Sequence, residues 1–153
     1  MSGVRFFADC MVGKLAKWLR LMGFYVEYAD SKLSDSEIMD YCGENKLYLL
    51  SRDRELSARY PESMYIQSDD HNEQLIQVLS RFPPDPSKYF TRCPVCNGPN
   101  EKISTSDFQG ELFESVKERF SYVYRCEDCG KVYWEGSHFE AILGKIGKIV
   151  KEL

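Results

Sequence analysis

Four cysteines in two close pairs, Cys93 with Cys96 and Cys126 with Cys129, are the residues whose spacing speaks first to chemistry. Each C-x-x-C loop lets two thiolates bind one ion. Four thiolates fill a closed tetrahedral zinc shell, which makes the site structural and leaves no open position for catalysis. "RCPVCNGPN" and "YRCEDCGKVYW" read as the two knuckles of a zinc ribbon, with Gly98 and Gly130 placed where the backbone must turn toward sulfur. Two redox pairs are the alternative, and two of them framed this way in one short chain fit poorly. The stretch between the pairs, residues 97 to 125, is longer than usual ribbon spacing and predicts an inserted helix near 111–119. A ribbon this small cannot bury enough surface to fold without its metal.

Five carboxylates form the second suggestive set: Asp9, Glu37, Asp53, Asp69 and Asp70. Their spacing means little until the elements that carry them are laid out. "VRFFA" (4 to 8) is a short buried-strand pattern, and a helix is expected from about Met11 to Met22. On a helical wheel Met11, Leu15, Trp18, Leu19 and Met22 share one arc, with Lys14, Lys17 and Arg20 opposite. Gly23 suits a left-handed helix end. "FYVEYA" (24 to 29) is strand-like, and Ser34 to Glu37 is a capping box that opens a helix to about Asn45. "KLYLLS" (46 to 51), "RDRELSARY", "SMYIQS" (63 to 68) and "HNEQLIQVLSRF" (71 to 82) continue the alternation. Strand then helix, repeated along the first 82 residues, predicts a parallel α/β sheet flanked by helices.

In such a sheet, groups beyond the carboxyl ends of the strands converge on one edge, where these folds bind ligands. Asp9 ends the first strand, Asp53 follows the third, Asp69 and Asp70 follow the fourth, and Glu37 sits in the first turn of the second helix. Carboxylates gathered there repel one another unless a divalent cation neutralises them, and hard oxygen ligands suit magnesium or manganese. Each acid also has a plainer reading. Asp9 and Asp53 can be helix N-caps, Glu37 the partner of Ser34, and Asp69 and Asp70 turn acids. Repetition at equivalent strand ends, beside Lys14, Lys17, Arg20, Arg52 and Arg54, favours a metal site for a polyanionic substrate. A metal-dependent nuclease follows, because a metal there activates water and steadies a phosphodiester's leaving oxygen. A phosphotransfer site of the D-x-D kind is not supplied by "DCM" at Asp9.

"PPDPSKY" (83 to 89) cannot continue a helix and reads as a stiff linker. The expected organisation is therefore an α/β domain over 1–82, a proline-rich linker over 83–90, and a zinc ribbon over 91–153 with a closing helix from about Ser137. At 153 residues and a net charge of −4, the chain is not an overall electrostatic magnet for nucleic acid, so an anionic partner must meet a local patch. Residues 10 to 26 hold cations and no acid, whereas 27 to 45 hold Glu27, Asp30, Asp35, Glu37, Asp40 and Glu44 against Lys32. No signal-peptide pattern and no apolar stretch of transmembrane length is present, so a soluble cytoplasmic protein without a membrane partner is expected. The isolated Cys10 and Cys42 read as packing thiols.

"FFADCMVGKLAKWLRLMGFYVEY", "LYLLSRDREL", "RCPVCNG" and "CGKVYWEGSHFEAI" together resemble the Mut-seven C-terminal RNase family, a PIN-like group, over nearly the whole chain. The resemblance implies a PIN-like α/β nuclease core fused to a zinc ribbon. It implies that Asp9, Glu37 and Asp53, with Asp69 or Asp70, form the acidic site for Mg2+ or Mn2+. It also implies that Lys14, Lys17 and Arg20 meet phosphate and that Cys93, Cys96, Cys126 and Cys129 bind zinc. The implied activity is a metal-dependent endoribonuclease preferring single-stranded RNA and leaving a 5′-phosphate, with the ribbon aiding RNA docking. The competing class is a non-catalytic RNA- or ribosome-binding module, and a third is the toxin half of a toxin–antitoxin pair. "WEGSH" matches the family's terminal motif, and His138 in it reads as structural. Cys10 stands where a basic residue is frequent, and "NGPN" lacks a leucine often found there.

Overall fold

The computed structural model describes residues 3–29 and 33–153; Asp30 and Lys32 of the charged block lie outside the described residues. The strand–helix alternation is realised as β1 (Arg5–Ala8), α1 (Gly13–Leu21), β2 (Tyr25–Tyr28), α2 (Asp35–Asn45), β3 (Tyr48–Ser51), α3 (Arg54–Arg59), β4 (Ser63–Tyr65) and α4 (His71–Arg81). The four strands pair in parallel in the order β2-β1-β3-β4. The chain runs outward from β1 to β2 and then crosses back to β3, so its direction reverses at β1. The carboxyl ends of β1 and β3 therefore flank the crevice where such sheets bind ligands.

Pleating sends alternate residues of each strand to opposite faces. Phe6, Ala8, Val26 and Leu50 pack on one face with Leu15 and Leu19 of α1 and Leu75 and Val78 of α4. Phe7 and Leu49 pack on the other with Ile38 and Cys42 of α2 and Leu56 of α3. Phe6 is fully buried, with its ring 5.6 Å from that of Phe24 and 5.1 Å from that of Phe82. Burying a side chain of this size contributes roughly 2–3 kcal/mol. Among the described residues, no helix is long and apolar enough to cross a membrane.

The expected arc on α1 needs one correction. Met11 precedes the helix and is 62% exposed, because the helix begins only at Gly13. Gly23 ends the turn at φ 90°, and an added Cβ would lie 2.2 Å from the Lys88 carbonyl oxygen, so glycine is required by conformation and by space. Pro86 opens a 3-10 turn, Pro86–Lys88, whose Lys88 presses on this position.

The remaining chain forms β5 (Asn100–Ser104), α5 (Glu114–Arg119), β6 (Tyr122–Cys126), β7 (Val132–Tyr133) and α6 (Ser137–Lys151), with the strands antiparallel in the order β5-β6-β7. The inserted helix expected near 111–119 is α5, and the closing helix is α6. Ile146 and Ile149 of α6 belong to the same core cluster as α1 and α4. The segment before and the segment after the prolines thus share buried surface.

Candidate functional site

Asp9 follows β1 directly and is only 6% exposed. Its Oδ1 accepts the Met11 N–H at 3.1 Å, and its Oδ2 accepts a short hydrogen bond from the Ser51 hydroxyl at the end of β3. Ser51 Oγ in turn accepts the N–H of Asp53 at 2.9 Å. One buried hydroxyl therefore ties both strand-tip acids to the crevice between β1 and β3. Sequence reasoning passed over Ser51; its one signal is a small hydroxyl residue closing an otherwise apolar strand, "YLLS". Asp9 does not cap α1, whose N-cap is Val12 without a side-chain bond; it closes a local turn on Met11 instead. Asp53 does cap α3, accepting the Leu56 N–H at 3.1 Å.

The other acids sit further out. Glu37 completes the capping box with Ser34 and is exposed. Asp70 caps α4 by accepting the Glu73 N–H at 3.0 Å, and both it and Asp69 are exposed. Among the described residues the carboxylates form no group of three close enough to share an ion; the four cysteines do.

Lys14 and Lys17 are exposed on α1. Arg20 is not, and the expectation that it lies with them on the open face is corrected here: it is 8% exposed. Its Nε donates to the Val26 carbonyl at 2.8 Å, and its Nη1 donates to the carbonyls of Pro94 and Val95 at 3.1 and 3.2 Å. All three acceptors are backbone, so the guanidinium is committed to joining β2 and the first knuckle. Arg52 donates at 3.4 Å to the carbonyls of Ile66 and Gln67, and Arg54 lies 5.0 Å from the Tyr65 ring centre.

A basic group unassigned from the sequence gathers beside Lys14. Lys145 of α6 lies 4.2 Å from the centre of the Trp18 ring, which also approaches the His71 ring at 5.8 Å. Both ring nitrogens of His71 are buried without a hydrogen-bond partner. Burial, reinforced by Lys145 and Lys14 and only partly opposed by Asp70, pushes the imidazole down to about 4. It is neutral at pH 7.

At the second centre the four Sγ atoms lie within 4.8 Å of one another, with Cys93–Cys129 at 3.8 Å and Cys96–Cys126 at 3.3 Å. Sulfurs around a tetrahedral zinc at ~2.3 Å stand about 3.8 Å apart, so the set fits that ion. N–H groups of Gly98 and Cys129 point at Cys96 Sγ and Cys126 Sγ, each at 3.4 Å. Burial opposes ionisation of Cys93, yet the Tyr133 hydroxyl and the N–H groups of Cys96 and Val95 outweigh it and bring the thiol to about 7. The left-handed residue of the first knuckle is Asn97 (φ 72°), matching Gly130 (φ 78°) in the second. Gly98 turns its N–H toward sulfur as expected, and an added Cβ there would also lie 2.6 Å from the Asp128 carboxylate. Asn97 also accepts the Val26 N–H through its Oδ1 at 2.9 Å. Cys42 packs as expected, whereas Cys10 is exposed.

The family model described as Mut7-C RNAse domain matches residues 4–146. Neither a curated protein nor a solved structure matches the chain.

Proposed function

The chain belongs to the Mut7-C RNase domain family, and from that premise we propose that it hydrolyses RNA phosphodiesters at the crevice between β1 and β3, using Mg2+ or Mn2+. The observation that carries the reading is that Ser51 Oγ bonds both the Asp9 carboxylate and the Asp53 N–H at the sheet's reversal point. Asp9 is a buried carboxylate whose recorded partners are one O–H and one N–H, and among the described residues no lysine or arginine forms an ion pair with it. Carboxylate oxygens fixed at a strand tip and free of a basic partner are hard donors suited to a divalent ion. Magnesium commonly keeps several waters while bound through one or two carboxylates, so two strand-tip acids are a sufficient donor set. When bound, such an ion supplies an activated water and charge for the leaving oxygen. Ser51 holds the Asp9 carboxylate in orientation, and Asp53 is fixed through its own N–H and its cap on α3. We assign Glu37, Asp69 and Asp70 to the outer field of the ion, and Lys14, Lys17, Arg52 and Arg54 to the RNA phosphates.

Single-stranded RNA is the proposed substrate, cut internally, with the ribbon aiding docking. The test is cleavage of a labelled single-stranded RNA with Mg2+ or Mn2+ by Asp9→Asn and Asp53→Asn. Each is expected to lose at least a hundredfold in rate while retaining zinc. Wild-type rates in both variants would sink the site. A second reading, an RNA-binding module without catalysis, is favoured by the absence of a three-carboxylate group among the described residues. Manganese titration separates the two, since RNA bound with no manganese at the acids supports the module.

A further inference from the structure

A cavity of about 550 Å3 opens between the second half of α1 and the ribbon, within the size range of small-molecule sites. Trp18, Tyr124, Tyr133, Trp134, Phe90 and Phe139 contribute to its wall. The cations beside them are Lys17, Arg92 and Lys131, and no Asp or Glu lines it. That absence is informative in a chain with 24 acids and a net charge of −4. A hollow with aromatic faces and only positive charge matches the requirements of an unpaired base and its phosphate, because stacking platforms and cationic tracks together hold single strands.

The wall is firmly held. Phe90 adopts φ 64°, a costly conformation for an aromatic residue, and strain of that kind persists only where surroundings enforce it. Its N–H donates to the Leu21 carbonyl at 2.9 Å, its carbonyl accepts from Asn100 at 2.9 Å, and its ring stacks on Phe139 at 3.9 Å. Phe90 and Phe139 thus spend faces on each other, and Trp18 meets Lys145 and His71. The Tyr124 and Tyr133 hydroxyls are engaged by Glu135 and Cys93, whereas Trp134 lines both this cavity and the smaller hollow beside it. The "WEGSH" motif, chemically unassigned from sequence, supplies Trp134, Gly136, Ser137 and His138 to the lining. Lys17 on the rim is three residues from Lys14, so α1 joins the cavity to the candidate catalytic edge with adjacent cations.

We propose that this cavity receives an unpaired nucleobase of the single-stranded RNA substrate, a few nucleotides from the bond that is cut. The proposal rests on the ribonuclease reading and adds to it a place where base identity and single-strandedness are read. A duplex cannot turn a base into the hollow without breaking a pair, whereas a single strand can.

The test measures equilibrium binding to the zinc-loaded full chain in buffer without added magnesium or manganese. The probe is a short single-stranded RNA in which one abasic ribose is moved along the strand. At one position the abasic probe is expected to bind on the order of tenfold more weakly than the intact RNA. Trp134→Ala should lose a similar factor on intact RNA and almost nothing further on the abasic probe, while Trp134→Phe recovers most of it. Zinc content reports whether each variant is folded. RNA bound by the wild type with equal affinity at every abasic position would overturn the pocket and leave the ribonuclease reading standing. So would Trp134→Ala, fully zinc-loaded, weakening intact and abasic RNA alike. Failure of the wild type to bind or cut any RNA would remove both.

Discussion

Replacing Arg20 with alanine cuts the tie between the sheet's β2 edge and the first zinc knuckle. The guanidinium donates to three backbone carbonyls, those of Val26, Pro94 and Val95. A hydrogen bond from a charged donor contributes about 1.5–3 kcal/mol, and a buried acceptor left alone costs as much. The Val26 bond is buried, whereas the two to the knuckle are partly open, so water recovers part of those. The variant also escapes the desolvation that lowers the Arg20 pKa. The balance is a loss of about 3 kcal/mol, a large fraction of an ordinary domain's stability. For a chain of this length that corresponds to a fall in Tm of roughly 6–12 °C. Thermal unfolding of the zinc-loaded chain measures it, and chelator competition should show earlier zinc release because Pro94 and Val95 lie between two ligands. Arg20→Lys keeps the charge but not the fork, and should recover less than half the loss. Asn97→Gly keeps the left-handed turn and deletes the bond to Val26, costing about 1 kcal/mol and coupling with Arg20→Ala in a double-mutant cycle. Unchanged Tm and zinc retention in Arg20→Ala, together with a tenfold loss of RNA affinity, would refute this and return Arg20 to the phosphates.

Ser51→Ala removes the hydroxyl that links Asp9 and Asp53 and leaves a carboxylate oxygen of Asp9 without its donor. A stability loss of about 1–3 kcal/mol is expected, with manganese affinity falling alongside cleavage; a cleavage rate and manganese affinity equal to wild type would contradict the bridging role. His71 gives a pH signature. Its folded pKa of about 4 lies below the usual 6.5, so the unfolded chain binds more protons between those values. The contribution is present above about pH 6.5 and lost as pH falls toward about 4. The shift alone corresponds to about 3 kcal/mol, which screening at this half-open ring, facing Lys14, Lys145 and Asp70, reduces to about 1 kcal/mol. Denaturation at both ends of that window should show wild type losing about 1 kcal/mol more than His71→Phe, and equal losses would count against a buried neutral imidazole.

Local pattern carries the sheet. Leu15 and Leu19 repeat with the helical period, Ser34 and Glu37 mark a helix start, and Gly23 marks an end. Each signal arises from neighbours in sequence. Arg20 is misplaced by the same logic, because its acceptors Pro94 and Val95 are 74 and 75 residues away and a helical wheel holds no term for them. Lys145 beside Trp18 escapes for the same reason. The knuckle glycines show a subtler limit. Residue type points to Gly98 as the turn toward sulfur, which its N–H makes, but it does not show that the left-handed residue is Asn97, because asparagine tolerates that conformation too. Of the acids, strand-tip position alone located Asp9 and Asp53, whereas the hydroxyl between them came only with the register of β1 on β3.

The order of the strands bears on where the ribbon packs. A four-stranded parallel sheet leaves two edges, and an unpaired edge invites pairing with another chain. β4 is limited to Ser63–Tyr65, a length that offers little to a partner. β2 is longer and lies at the other edge, and its central Val26 is satisfied on that side by two side chains. Asn97 takes the N–H and Arg20 the carbonyl, so the residue is paired as a fifth strand would pair it, but without a strand. Asn97 reaches Val26 from the turn formed by a zinc knuckle. The same knuckle is held by Arg20 from α1, the helix that also displays Lys14 and Lys17. The first knuckle is therefore joined both to Val26 at the sheet edge and, through Arg20, to α1, the helix that follows Asp9.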